Sequence, residues 1–150
     1  MITISNINER VPRDVQFVTI SDGFGITEIP NGYFKEYHQL KYIQMPDDIC
    51  KIGDFAFFAC RSLRYIELPE KLYSIGEHCF HGCLKLKFIN LPNTVHHIAY
   101  GAFQGCFHLQ YVNLSENMKY LSAKVFNQCV SLKNLEIPES VKEIRYSAFS

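Results

Sequence analysis

The side chains best able to do chemistry in this chain are its cysteines and histidines, and their spacing decides which chemistry is open to them. Within His78-Cys79-Phe80-His81-Gly82-Cys83 two thiols and two imidazoles fall inside six residues, and thiolate with imidazole is a ligand set that zinc favours. A structural zinc site needs four ligands converging from two separated pairs, and only one pair stands here. Register gives a different account. Cys60, Cys83, Cys106 and Cys129 recur every 23 residues, and Cys79 keeps the register of Ala56, Ala102, Val125 and Ala148. His78 aligns with Phe55, Gly101 and Lys124, and His81 with Phe58, Gln104 and Asn127. The thiols are thus spent on packing and the imidazoles on turns, so neither a metal nor another cofactor is expected.

Catalysis finds no better footing. Cys50 lies off the cysteine column, in the register of Tyr73, His96, Lys119 and Lys142. That position faces solvent, which makes Cys50 the thiol most open to adventitious oxidation. His38, His96, His97 and His108 fall mostly at variable positions and read as solvated surface. No Ser-His-Asp set, phosphate-cradling glycine loop or carboxylate pair assembles. The chain is expected not to be an enzyme.

What positions all of these residues is the repeat itself, because a fixed period of some 20 to 50 residues signals a solenoid or an array. Phe34, Phe57, Phe80, Phe103, Phe126 and Phe149 form an unbroken column with a period of 23. Leu40, Leu63, Leu86, Leu109 and Leu132 run in the same register, as do Ile43, Ile66, Ile89, Val112 and Leu135, and then Met45, Leu68, Leu91, Leu114 and Ile137. Pro46, Pro69, Pro92 and Pro138 follow, broken once by Ser115. Ile49, Leu72, Val95, Met118 and Val141 come next, and Ile29, Ile52, Ile75, Ile98, Leu121 and Ile144 close the unit.

In L-x-x-I-x-L the last two apolar positions alternate with others, the period of a strand with one buried face, and the proline ends the ladder because it has no N–H to donate. A second, shorter strand is expected around Val95-His96-His97-Ile98, and Ala102-Phe103-Gln104-Gly105-Cys106 reads as a helical turn. One coil cannot bury its own apolar face, so coils must stack, about 4.8 Å apart. At that spacing the cysteines of adjacent coils hold their Cβ atoms beyond the ~3.8 Å of a disulfide. Free buried thiols are expected.

The unit L-x-x-I-x-L-P-x-x-I-x-x-I-G-x-x-A-F-x-x-C resembles the BspA-like branch of the leucine-rich repeats, a family of bacterial and protist surface proteins that includes adhesins. The resemblance implies an α/β solenoid, mostly β: a right-handed leucine-rich-repeat stack with a parallel sheet on its concave side and short strands and helical turns elsewhere. One domain spans residues 1–150. Residues 1–25 form a degenerate capping coil, residues 26–149 the regular repeats, and the C-terminal coil is incomplete. An uncovered last coil presents unpaired donors and acceptors, which leads to an expectation of homo-association through the C-terminal edge.

Composition narrows the partners. Hydrophobic residues make up 47% and charged residues 20%, enough apolar surface for a folded core. Fifteen basic and fifteen acidic residues give a formal charge of +0, so the basic footprint of generic nucleic-acid binding is missing. No window approaches the length of a membrane span. Residues 1–14 carry no signal-peptide core, which gives a cytoplasmic default, whereas the resemblance implies a cell-surface setting if the chain is a fragment.

If the I-x-L pair points inward, the residue before the Ile and the one between must point outward. One outward column is then Tyr42, Tyr65, Phe88, Tyr111 and Asn134, and the other is Gln44, Glu67, Asn90, Asn113 and Glu136. A core does not require four aromatics in line on its outside, and exposed aromatic surface marks interaction. These residues are the expected anchors for a protein or glycan ligand on the concave face. Stacking between strands accounts for the rings equally well, which leaves open a structural or self-assembly module, or a fragment of a larger adhesin. A basic column (Lys41, Arg64, Lys87, Gln110, Lys133) and an acidic one (Asp47, Glu70, Asn93, Glu116, Glu139) flank the face. The acidic track would repel phosphates, so no nucleic acid is expected there.

Overall fold

The computed structural model describes residues 1–150 and contains eleven short strands and no helix. In chain order they are β1 (Ile2–Ile4), β2 (Phe17–Ile20), β3 (Glu28–Ile29), β4 (Tyr42–Gln44), β5 (Lys51–Ile52), β6 (Ser74–Ile75), β7 (Phe88–Asn90), β8 (His97–Ile98), β9 (Tyr111–Asn113), β10 (Tyr120–Leu121) and β11 (Glu143–Ile144). Every pairing is parallel. Within the regular repeats each strand meets its own register one coil on: Ile52 with Ile75, Ile75 with Ile98, and Ile89 with Val112. The chain is therefore a β-solenoid in which sequence columns become physical stripes.

Two sides of the coil carry strands. One holds β1, β2 and β4 and, farther along, the pair β7 and β9; the other holds β3, β5, β6 and β8, followed by β10 and β11. Residues 1–25, read from sequence as a degenerate coil, contribute both β1 and β2, with Ile2 beside Val18 and Val18 beside Ile43. At the coil where Pro gives way to Ser115, the buried hydroxyl donates to the Asn93 carbonyl at 3.3 Å and accepts the Asn117 N–H at 3.2 Å. It thereby closes by side-chain bonding the turn that Pro otherwise presets.

The third side corrects the expectation of helical turns. An α-helix needs right-handed backbone at every residue, but Phe55 and Ala59, His78 and Gly82, Gly101 and Gly105, and Lys124 and Gln128 all have positive φ. The segment is instead a run of tight turns in which alternate N–H groups leave the coil. Gly101, Phe103 and Gly105 donate to Ala123, Val125 and Asn127 of the next coil at 2.9–3.1 Å. Ala102, Gln104 and Cys106 donate three residues back within their own coil. Of 76 backbone hydrogen bonds only 12 lie within strands, so these turn ladders join the coils as much as the sheets do.

Burying the Phe column stabilises the stack. Phe34, Phe57, Phe80, Phe103 and Phe126 are buried, and neighbouring rings lie 5.2–5.6 Å apart and nearly parallel. The Leu40, Leu63, Leu86 and Leu109 column and the strand isoleucines fill the rest of one continuous core. Beside the rings the cysteines do more than fill space. Cys60, Cys83, Cys106 and Cys129 donate their Sγ–H to the carbonyls of Phe34, Phe57, Phe80 and Phe103, each in the preceding coil, at 3.1–3.2 Å. In the first such position Tyr37 makes the same bond through its hydroxyl, to Val11 at 2.7 Å.

Candidate functional site

The strand side places the outward columns where alternation requires. Ile43, Ile66, Ile89 and Val112 point into the core, while Tyr65, Phe88 and Tyr111 between them are 45%, 44% and 57% exposed and Tyr42 is half-buried. Gln44, Glu67, Asn90 and Asn113 are exposed beside them. Asn113 donates its side-chain amide to Asn90 Oδ1 at 2.8 Å, and the Tyr65 hydroxyl donates to Glu67 Oε1 at 3.1 Å. Asn134 and Glu136 are exposed too, but residues 134–136 form no strand, and Asn134 has a φ of +52°.

The aromatic ladder is interrupted. Tyr42 stacks on Tyr65 at 6.5 Å and Phe88 on Tyr111 at 5.6 Å, both within 10° of parallel. No ring contact joins Tyr65 to Phe88. The sheet is interrupted at the same coil: residues 65–67 form no strand, and the Lys87 N–H reaches the Arg64 carbonyl only at 3.4 Å. A groove of about 440 Å³ opens here, lined by Tyr65, Phe88 and Tyr111, by Asn90 and Asn113, and by Asp47, Glu67 and Glu70. Desolvation and then the bond to Glu67 raise the Tyr65 phenol above its ordinary value.

One member of the ladder escaped the sequence reading. Phe17, 42% exposed, pairs with Tyr42, and Thr19 pairs with Gln44. The signal was present in the Val15-x-x-Val18-x-Ile20 spacing, which puts Phe17 at the aromatic position one coil earlier. A larger depression of about 660 Å³ near the N-terminus, between Ser5 and Pro30, has a single aromatic, Phe24, and no stacked pair.

The cysteine and histidine segment does not converge. Cys79 and Cys83 are wholly buried, while His78 stacks on Phe55 at 5.4 Å and His81 on Phe58 at 5.0 Å on the turn side. No three metal-ligating side chains come together. Burial pushes the Cys60 thiol up to about 12 and holds Cys79, Cys83 and Cys106 well above the usual thiol range, which leaves them without nucleophilic thiolate. Cys50 alone is not buried, and its Sγ–H donates to the Thr27 carbonyl at 3.3 Å.

Residues 27–150 match the family described as BspA type Leucine rich repeat region, in six copies. The chain belongs to this BspA-type leucine-rich repeat family. Among solved structures, a leucine-rich repeat protein from Bacteroides ovatus is 33% identical with a TM-score of 0.88, over 99% of this chain and 38% of that one. The leucine-rich repeat protein of T. pallidum is 28% identical with a TM-score of 0.66, over 85% of this chain and 72% of that one. A leucine rich cell surface protein from Faecalibacterium prausnitzii, 23% identical with a TM-score of 0.54 over 91% of this chain and 51% of that one, shares the fold. This BspA-type chain thus spans well under half the length of the Bacteroides protein. A comparison with curated proteins finds no match. The family is a repeat scaffold, and no enzymatic family is indicated.

Proposed function

We propose that this chain is a non-enzymatic recognition module that binds a protein or glycan ligand through its strand face, the expected concave side, with Tyr42, Tyr65, Phe88 and Tyr111 as anchors. The observation that carries the reading is that three of these rings stand 44–57% exposed directly outside a completed core. Large rings left in water cost hydrophobic free energy that a partner recovers on covering them. Gln44, Glu67, Asn90 and Asn113 supply the polar groups that would orient a ligand beside the rings, and Asn134 and Glu136 extend the surface by one coil. The carboxylates around the groove disfavour nucleic acid.

Replacing Tyr65, Phe88 and Tyr111 together by Ala removes exposed rings and leaves the core untouched. Ligand capture in pull-downs and on glycan arrays is expected to be lost while the circular dichroism spectrum stays unchanged. Full binding by that variant would contradict the assignment of this face.

A further inference from the structure

The groove between the two stacked ring pairs carries negative charge that no ion pair within the chain neutralises. Asp47, Glu67 and Glu70 contribute to its lining, and no Lys or Arg does. The ion pairs of the chain join Lys51 to Glu28, Lys71 to Asp48 and Arg145 to Glu143, so none of the three carboxylates is in a direct ion pair, although Lys71 lies near enough to Asp47 to feel its charge. Lys41, in the neighbouring basic column, is drawn away by Gln16 at 2.8 Å and by the ring of Phe17. In a chain whose formal charge is +0, this concentration of one sign is local.

The rings add a shape. Stacked pairs cover one face of each member, and no ring stacks on the opposite faces of Tyr65 and Phe88, both of which line the groove. A guanidinium is planar and weakly hydrated; it lies flat on aromatic faces while its N–H fork donates to carboxylates. An ammonium offers no plane to stack, and a neutral sugar offers no charge.

Building on the recognition face described above, we propose that the gap between Tyr65 and Phe88 seats an arginine side chain from an extended basic segment of a partner protein. The guanidinium lies against the two rings and donates to the carboxylates of Glu67, Asp47 and Glu70. The amides of the neighbouring coils lie along the path such a segment would follow.

The test uses the full chain and a fluorescein-labelled peptide of alternating arginine and serine, followed by anisotropy. Its lysine counterpart and a labelled neutral chitooligosaccharide serve as comparisons. The arginine peptide is expected to saturate and the lysine peptide to bind about tenfold more weakly, since it loses the stacking. The combined variant Asp47→Asn, Glu67→Gln, Glu70→Gln is expected to weaken arginine-peptide binding by about tenfold and to remove most of its salt dependence. Phe88→Ala is expected to weaken it comparably, and Tyr73→Ala, equally exposed on another side of the coil, to leave it unchanged. Equal affinity for both basic peptides, or undiminished binding by the carboxamide variant, would overturn the proposal. Oligosaccharide binding that depends on Phe88, with no binding of the arginine peptide, would overturn it and leave the recognition face standing. If no probe binds and capture is unaffected by the triple aromatic substitution, both readings fall.

Discussion

The Sγ–H of Cys83 donates to the carbonyl oxygen of Phe57, one coil earlier, across 3.2 Å. The same oxygen accepts the Cys60 N–H at 3.1 Å, so the thiol engages the second lone pair of a carbonyl sealed in the core. Five cysteines are buried and only Cys50 is not. At neutral pH an alkylating reagent is therefore expected to modify the native chain once, at Cys50, and the other five thiols only in denaturant. Intact-mass measurement reads the count directly, and several rapid modifications of the folded chain would contradict the thiol ladder.

Position along the stack sets the cost of losing a ring. Phe80 is buried between Phe57 at 5.3 Å and Phe103 at 5.2 Å. Phe149 touches only Phe126, at 5.9 Å, and is 44% exposed. Phe80→Ala is expected to cost about 3–5 kcal/mol, a large share of a domain's total stability of ~5–15 kcal/mol. Phe149→Ala should cost about 1 kcal/mol or less, because water already reaches its ring. Urea unfolding midpoints compare the two, and equal losses would argue against a stack with a solvated last coil.

Those columns were legible in the sequence because stacking turns a 23-residue period into stripes, and Phe34 to Phe126 lie inside as their spacing required. The turn side was not legible. Phe103 and Cys106 have helical spacing, and the positive φ values that exclude a helix fall on Phe55, Ala59, His78 and Lys124 as well as on glycines, so residue type does not announce them. β1 was missed because Ile2-Thr3-Ile4 pairs with Val18 across a connection shorter than the repeat. The outward columns followed from alternation alone. The break between Tyr65 and Phe88 did not, because like residues at equal spacing predict a continuous ladder, and the turn of Tyr65 toward Glu67 is a matter of rotamer.

Backbone strain on the turn side makes a different prediction. Gln128 holds a φ of +60° with an exposed side chain, a conformation that penalises any residue with a Cβ. Gln128→Gly is expected to stabilise the chain by about 0.5–1 kcal/mol, the left-handed strain outweighing the entropy of a freer unfolded chain. A lowered thermal midpoint would contradict this.

Acid should weaken the stack. Burial, and then the neighbouring His78, holds the His81 imidazole below its ordinary 6.5, and burial followed by Arg145 does the same to His97. The unfolded chain then binds the protons more readily, so this contribution to stability is complete above the unfolded value and is lost as pH falls through it toward the lower folded value. Tm is expected to fall between neutral pH and about pH 5, and His81→Gln to flatten part of that fall. An unchanged pH profile in the variant would remove His81 from the account.

A photo-crosslinking amino acid placed at Phe88, compared with one placed at Phe107, asks most directly whether the strand face recognises a partner. Both positions are exposed to nearly the same extent, 44% and 43%, but only Phe88 lies in the groove. Irradiation in a cell extract is expected to yield discrete adducts from position 88 that unlabelled chain competes away, and none from position 107. Adducts from position 107 alone, or from both without competition, would contradict the recognition face.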